Sequence, residues 1–214
     1  MLVKSSKLTC KTKKVDYTIK RFVDYVVAAL LLFILSPIFL LVAIAIKVDS
    51  PGDVFFRQTR IGLNERHFQI WKFRTMYANS ETLQQQLEAK NEVQGGILFK
   101  IKEDPRVTRS GKIIRAYSLD ELPQLFNVLL GNMSLIGPRP LPIRDVVKMD
   151  AASNIRHQLL PGISGLAQVN GRSGCSSQQF FNWDRKYIER WSLWLDFQIF
   201  LKTIPEIVKK TGAY

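Results

Sequence analysis

The sequence predicts an α+β chain, mainly helical, with one small β-hairpin and a broken apolar helix near its start. Three observations predict this. A run without charge, Tyr25 to Ile46, is interrupted at Ser36-Pro37. Two alternating segments, Val54 to Ile61 and His67 to Arg74, flank a connection holding Gly62 and Asn64, the pattern of a hairpin. Aromatic residues then recur at helical spacing from Phe180 onward. At 214 residues the chain is long enough for one domain with a real core.

Composition narrows the function classes. Thirty-one Lys and Arg stand against 18 Asp and Glu, a formal net charge of +13. Such a balance suits an anionic partner: nucleic acid, an acidic membrane surface or a phosphorylated substrate. A hydrophobic content of 46% excludes a disordered basic tail. Cys10 and Cys175 make neither a disulfide framework nor a metal spacing, and His67 and His157 form no ligand pattern.

Residues Met1 to Asp24 are basic. The uncharged run behind them would reach roughly 33 Å as a straight helix, enough to cross a bilayer. It starts too late and is too long for a signal peptide. Pro37 removes a helix hydrogen bond, and Ser36 can bond a carbonyl so freed. Both flanks are basic, which would keep both ends on the cytoplasmic side. A re-entrant hairpin of two half-helices satisfies both features, and a kinked single-pass helix remains open.

Ser50-Pro51-Gly52-Asp53 reads as a turn. In the second strand Lys72 and Arg74 share one face, where they either clamp a phosphate or are simply solvated. Asn79 to Glu92 reads as a polar, Gln-rich helix ended by Gly95-Gly96, and Ile97 to Ile101 as a short strand. Asp104-Pro105-Arg106 begins a turn, with Arg109, Lys112 and Arg115 behind it.

The centre of the chain is Arg115-Ala116-Tyr117-Ser118-Leu119-Asp120-Glu121-Leu122-Pro123-Gln124. It reads as the start of a helix running to Leu130 and closed by Gly131. Ser118 is the expected N-cap, and Ser118-x-x-Glu121 matches a capping box. Asp120 and Glu121 then occupy a first turn whose free N–H groups also attract phosphate. Plain capping and a catalytic carboxylate pair both fit. Arg115 falls outside the helix and can fold over its start to neutralise charge.

Two later segments extend the pattern. Pro138 and Pro140 hold Arg139 in a stiff, extended backbone, which lowers the entropy cost of offering its guanidinium to a phosphate. Leu160 to Arg172 reads as a loop rich in glycine and amides, suited to close backbone approach to a ligand. It has neither Walker spacing nor a dinucleotide fingerprint. From Phe180 the chain is aromatic and amphipathic. Tyr187, Trp191, Trp194 and Gln198 follow helical spacing, and both an interfacial and a core-facing helix fit. Pro205 reads as a break before Lys209-Lys210.

Taken together and in order, seven motifs resemble one family. They are Lys20-Arg21-Phe22-Val23-Asp24, Ser36-Pro37, Lys72-Phe73-Arg74-Thr75-Met76, Asp104-Pro105-Arg106-Val107-Thr108, Ser118 to Gln124, Ser134-Leu135-Ile136-Gly137-Pro138-Arg139-Pro140, and Pro161 to Arg172. The chain resembles the monotopic polyprenyl-phosphate phosphoglycosyltransferases of the bacterial sugar transferase family over about Lys20 to Lys202.

The resemblance implies transfer of a phosphosugar from a UDP-sugar to undecaprenyl phosphate, with release of UMP, as the first step of a surface glycan. It implies ping-pong chemistry through a phosphosugar on Asp120. Glu121 matches the dyad partner, either holding Mg²⁺ (or Mn²⁺) with Asp120 or taking a proton from the lipid phosphate. Lys72, Arg74, Arg115, Arg139 and Arg172, with Pro138, Gln168 and Asn170, are the implied substrate-binding set. The family's topology implies a re-entrant membrane helix-hairpin broken at Ser36-Pro37. Residues 1–47 would be tail and anchor, and 48–214 a catalytic domain on the cytoplasmic face of the bacterial inner membrane, with interfacial amphipathic C-terminal helices.

A homodimer is admitted. Leu166 stands where the family often has Trp. Larger members carry an additional N-terminal membrane region, so either a short form or a catalytic domain alone is expected. The competing expectations are a non-catalytic membrane protein that binds anionic lipid phosphates, and a nucleic-acid binder. The bilayer-length apolar run and the lack of a binding module argue against the latter.

Overall fold

The computed structural model describes residues 11–77, 80, 101, 104–171 and 176–208, with side chains from residue 15 on, those of Ala151 and Val208 excepted. The helix and strand expected over 79–101 lie outside these residues, save Ser80 and Ile101. So do Arg172, both cysteines and Lys209-Lys210.

Two helices open the chain, α1 (Lys11–Ile34) and α2 (Ser36–Asp49), bent by 61°. The bend has a local cause. Pro37 has no N–H to give to the carbonyl of Phe33, four residues back. The Ser36 hydroxyl takes that carbonyl instead, at 2.8 Å. Among the described residues no single helix is long and apolar enough to cross a membrane, whereas this bent pair meets that test together. Its inner side buries Ala28, Val42 and Ile46, and its outer side leaves large apolar groups exposed, Phe33 by 80% and Leu41 by 66%.

The expected hairpin forms one residue shorter at each outer end. Strand β1 (Phe55–Ile61) pairs antiparallel with β2 (His67–Phe73), from Phe55 opposite Phe73 to Ile61 opposite His67. The connection contains a 3-10 turn over Leu63–Glu65. Phe73 packs against Val42 and Ile46 of α2 and against Ile114 of α3 (Arg109–Ala116). Each such fully buried side chain contributes about 1.5–3 kcal/mol of transfer free energy.

The single helix expected from Leu119 to Leu130 does not form. Ser118 adopts a left-handed backbone (φ 55°, ψ 22°) and makes no side-chain cap. It closes α3, its N–H bonding the Arg115 carbonyl at 2.9 Å. A 3-10 turn, Leu119–Glu121, follows, and only then α4 (Gln124–Leu129), whose N-cap is Pro123. The capping box is therefore not made. The Glu121 side chain goes to distant cations instead of reaching back to the Ser118 N–H.

The two segments read as loops contain a second sheet. Strand β3 (Ser134–Ile136) precedes α5 (Ile143–Val146) and a 3-10 segment, Ala151–Gln158. Strand β4 (Gly162–Ser164) then lies parallel to β3, and α6 (Leu166–Gly171) follows. The glycines here bring backbone against backbone. A Cβ on Gly162 would lie 2.0 Å from the Gly137 nitrogen, and one on Gly165 would lie 2.1 Å from the Gly137 carbonyl oxygen.

The aromatic C-terminal part divides at Trp191 and Ser192 into α7 (Ser177–Arg190) and α8 (Leu193–Val208). A real capping box starts α7, between Ser176 and Gln179. Helix α7 faces the core with Phe180, Phe181, Tyr187 and Ile188. Helix α8 turns Trp194, Phe197, Phe200 and Ile204 outward, Trp194 by 64%. The break expected at Pro205 is not seen: α8 runs through it to Val208.

One polar cluster locks α1 to this assembly. Lys20 donates to Asp196 at 2.6 Å and to the Ile136 carbonyl at 3.0 Å. Asp196 also receives the Tyr187 hydroxyl at 2.8 Å and the Trp191 indole at 3.2 Å. Beside it Arg21 donates to the Met133 carbonyl and to Asp24, and Asp24 accepts the Leu135 N–H at 3.1 Å.

Candidate active site

Asp120 and Glu121 sit on the 3-10 turn between α3 and α4. Two apolar residues fix this turn from beneath: Leu119 and Leu122 pack into the cluster built by α2, Phe73 and Ile114. The hairpin is fixed beside it by Asn127, wholly buried, which donates to the Gln69 carbonyl and accepts the Trp71 N–H. The residue after Trp71 is Lys72, so this clamp aims its ammonium at the turn.

The two carboxylates are treated unequally. Glu121 is held by Arg139 through two hydrogen bonds, 2.5 and 3.2 Å, and by Lys72 at 3.2 Å. Asp120 has Lys72 at 3.6 Å, an ion-pair distance. Their side chains are only 13% and 17% exposed. Burial raises the pKa of Asp120, the pull of Lys72 opposes it, and the charge of Glu121 adds to the rise. For Glu121 burial again works upward, but Arg139 and Lys72 outweigh it and hold this carboxyl well below the usual range. Reciprocally, Glu121 raises Arg139 above its ordinary value, against burial. Burial, the neighbouring Glu121 and three cations thus govern Asp120.

Arg115, on the last turn of α3, is the third cation. Its Nε donates to the Thr75 hydroxyl at 2.8 Å, and burial lowers its pKa while Asp120 raises it. Lys72, Arg115 and Arg139 thus reach one dyad from three separate elements. Their three positive charges exceed the two negative ones.

Other expected residues lie elsewhere. Arg74 shares a strand face with Lys72 but folds over the end of α2, bonding the Pro51 carbonyl and the Ser50 carbonyl, the latter at 2.8 Å. Asn170 is exposed and donates to the Leu166 carbonyl of its own helix. Gln168 is partly buried beside Gly165, and among the described residues neither amide atom has a hydrogen-bond partner. Pro138 is buried, and its carbonyl accepts the Gly162 N–H at 2.9 Å. Sequence reasoning missed Arg60 and Arg156, which bond the carbonyls of Pro140 and Arg139. Sequence carries no signal for either, because an arginine that bonds a buried carbonyl is written like one in water.

Among the described residues no group of three or more His, Cys, Asp or Glu side chains is placed to hold a metal ion. Two carboxylates are nevertheless the protein share that Mg²⁺ usually takes when substrate phosphates complete its shell. The hard oxygens of Asp120 and Glu121 fit that ion in chemistry.

A buried aspartate with little direct pairing, beside an anchored glutamate and under surplus positive charge, suits a phosphorylated substrate. The family model for the bacterial sugar transferases matches residues 15–210. The chain belongs to the bacterial sugar transferase family. An uncharacterized sugar transferase of Haemophilus influenzae is 41% identical over 92% of this chain and 42% of its own length. A UDP-glucose:undecaprenyl-phosphate glucose-1-phosphate transferase of Caulobacter vibrioides is 43% identical over 91% of this chain and 72% of its own. The exopolysaccharide production protein ExoY of Sinorhizobium fredii is 38% identical over 91% and 88%. Against the Haemophilus protein, then, this sugar transferase chain spans less than half the relative's length.

Proposed function

We propose that this chain moves a sugar phosphate from a UDP-sugar to undecaprenyl phosphate at a membrane surface, releasing UMP, and so begins a surface glycan. The observation that carries the reading is the asymmetry of the dyad. Glu121 spends both oxygens on Arg139 and Lys72, whereas Asp120 meets Lys72 at ion-pair distance, beneath more positive than negative charge. The names of the relatives supply the substrate class.

The steps follow from residue chemistry. Lys72, Arg115 and Arg139 draw the diphosphate to the turn and offset its charge. An Asp120 carboxylate oxygen attacks the phosphorus that bears the sugar. The bond from that phosphorus to the bridging oxygen breaks, and UMP leaves with the electron pair. An oxygen of the lipid phosphate then attacks the same phosphorus and frees Asp120, leaving the sugar on a polyprenyl diphosphate. Two such half-reactions split one difficult transfer into two easier ones. Asp120 and Glu121 would hold Mg²⁺ together with the diphosphate oxygens, where it would neutralise phosphate charge. A protein that only bound lipid phosphate would gain nothing from a buried nucleophile under that charge.

The bent pair α1 and α2 is the proposed anchor, entering and leaving the bilayer on the cytoplasmic face. The outward apolar side of α8 is the proposed interfacial helix. With Cys10 and Cys175 replaced by serine, Lys14→Cys and Asp53→Cys variants should both label from one side of sealed vesicles. Labelling from opposite faces would exclude the hairpin.

The chemistry is tested by intact mass. Protein is mixed with Mg²⁺ and a panel of UDP-sugars, without lipid acceptor, while UMP is assayed. A mass gain of one sugar phosphate, mapped to Asp120 and accompanied by an equivalent of UMP, is expected. If no donor gives UMP, with or without undecaprenyl phosphate, the reading falls.

A further inference from the structure

Arg139 carries two of the bonds that organise the dyad, yet it stands on an irregular loop and its own side chain is 34% exposed. Two other arginines hold the backbone of that loop. Arg60, on β1, donates to the Pro140 carbonyl at 3.1 Å, with its second nitrogen on Gln58 at 2.7 Å. Arg156 donates to the carbonyl of Arg139 itself. Arg156 is the more deeply buried, its side chain 2% exposed, and pairs at 3.0 Å with Asp184 of α7, 3% exposed. The rings of Phe180 and Phe181 lie on it at 5.6 Å each.

This arrangement is costly unless it does something. Taking a guanidinium and a carboxylate out of water carries a desolvation penalty that a buried pair scarcely recovers, and apolar side chains of similar volume usually do as well. The Arg156 fork differs from such a pair in one respect. A single nitrogen, Nη2, lies at ion-pair distance from Asp184 and also donates to a main-chain carbonyl that has no regular partner in a sheet or helix. That carbonyl belongs to the residue whose side chain grips Glu121.

We infer that Arg156, charged and oriented by Asp184, is a positioning residue: it fixes the Arg139 backbone so that the guanidinium meets Glu121 and the incoming diphosphate. The inference rests on the proposed phosphosugar transfer, since that reaction gives Arg139 a phosphate to meet. Lysine at 156 keeps a charge opposite Asp184, but its ammonium ends a stem of different length and shape and does not occupy the place of Nη2 between Asp184 and the Arg139 carbonyl.

The test is a cycle of four proteins: wild type, Arg156→Lys, Arg139→Ala and the double variant. Each is assayed for UMP release across UDP-sugar concentration, with thermal unfolding alongside. A second pair, Arg156→Met with Asp184→Leu, removes both buried charges together and covers the case in which Arg156→Lys does not fold. Arg156→Lys is expected to melt near the wild type, to raise the KM for the UDP-sugar and to lower kcat/KM about ten-fold. In the Arg139→Ala background the same change should cost less than two-fold. Losses that multiply in the two backgrounds, or a lower kcat with KM unmoved, would overturn the positioning role while leaving the transfer reaction standing. A wild-type protein that releases no UMP from any donor would remove the transfer reading, and the inference with it.

Discussion

Two buried ionic clusters in this molecule share residue types and differ in bookkeeping. Around Asp196 one carboxylate receives an ammonium, a phenol and an indole, and Lys20 donates also to the Ile136 carbonyl. Both carboxylate oxygens and two of the three ammonium donors are engaged. Around Asp120 and Glu121 three cations face two carboxylates, and Asp120 has Lys72 only at 3.6 Å. The first cluster is closed, joining α1, β3, α7 and α8. The second is open to a further anion. Burial alone does not distinguish a structural ion cluster from a catalytic one; spare valence does.

Removing one carboxylate from each cluster is the harshest way to break the comparison. Asp120→Asn is expected to abolish UMP release. It should melt no lower than the wild type, because a carboxyl whose pKa burial has raised costs stability when ionised at neutral pH. Asp196→Ala should do the reverse. It leaves Lys20 charged and buried, so unfolding should become easier by about 3–5 kcal/mol, with kcat per folded molecule unchanged. A loss of stability in the first variant, or of specific activity in the second, would erase the distinction.

A finer test uses acid. Asp120 must be ionised to attack, and its pKa lies above the ordinary aspartate value. UMP release should therefore fall with decreasing pH through a limb above that value. Lys72 pulls this pKa down, so Lys72→Met should move the limb to higher pH. The same limb in both proteins would remove Lys72 from the neighbourhood of the nucleophile. Glu121 works in the opposite sense. Its lowered pKa stabilises the fold above the ordinary glutamate range, and that contribution is lost as pH falls.

The smallest effect separates two ideas of Ser118. As an N-cap it would lose about 1 kcal/mol on replacement by alanine and a few tenths on replacement by glycine. In the left-handed conformation observed, Ser118→Gly should relieve about 1 kcal/mol of backbone cost and raise the melting temperature slightly. Denaturant unfolding with unchanged slope would measure this. A drop in stability would restore the cap.

The same residue shows where sequence reading ends. Ser118-x-x-Glu121 is a local pattern, and locally it means a capping box. Glu121 is claimed instead by Arg139, eighteen positions ahead, and by Lys72, forty-nine behind. No local rule sees those partners. The second sheet was hidden for a different reason: strands of three residues are too short to show a period of two. The bent α1–α2 pair and the β1–β2 hairpin were legible, because an apolar run with a proline and two alternating runs around a glycine carry their structure locally. In the C-terminal part the aromatic spacing was right for helices, but which face met the core depended on a break after Arg190 that no glycine or proline marks. Asp120, Glu121, Lys72, Arg115 and Arg139 were all named in advance and are brought together. Arg74 goes instead to the carbonyls of Ser50 and Pro51, because a strand face fixes direction and not destination.

The contact between Gly137, Gly162 and Gly165 has a consequence for anyone who would vary this protein. With 2.0 to 2.4 Å to backbone atoms where a Cβ would stand, these positions admit an alphabet of one letter. Codon randomisation there samples misfolded chains and nothing else. Diversity aimed at a new donor sugar belongs on exposed side chains such as Asn170 of α6, which can be respelled without parting the two strands.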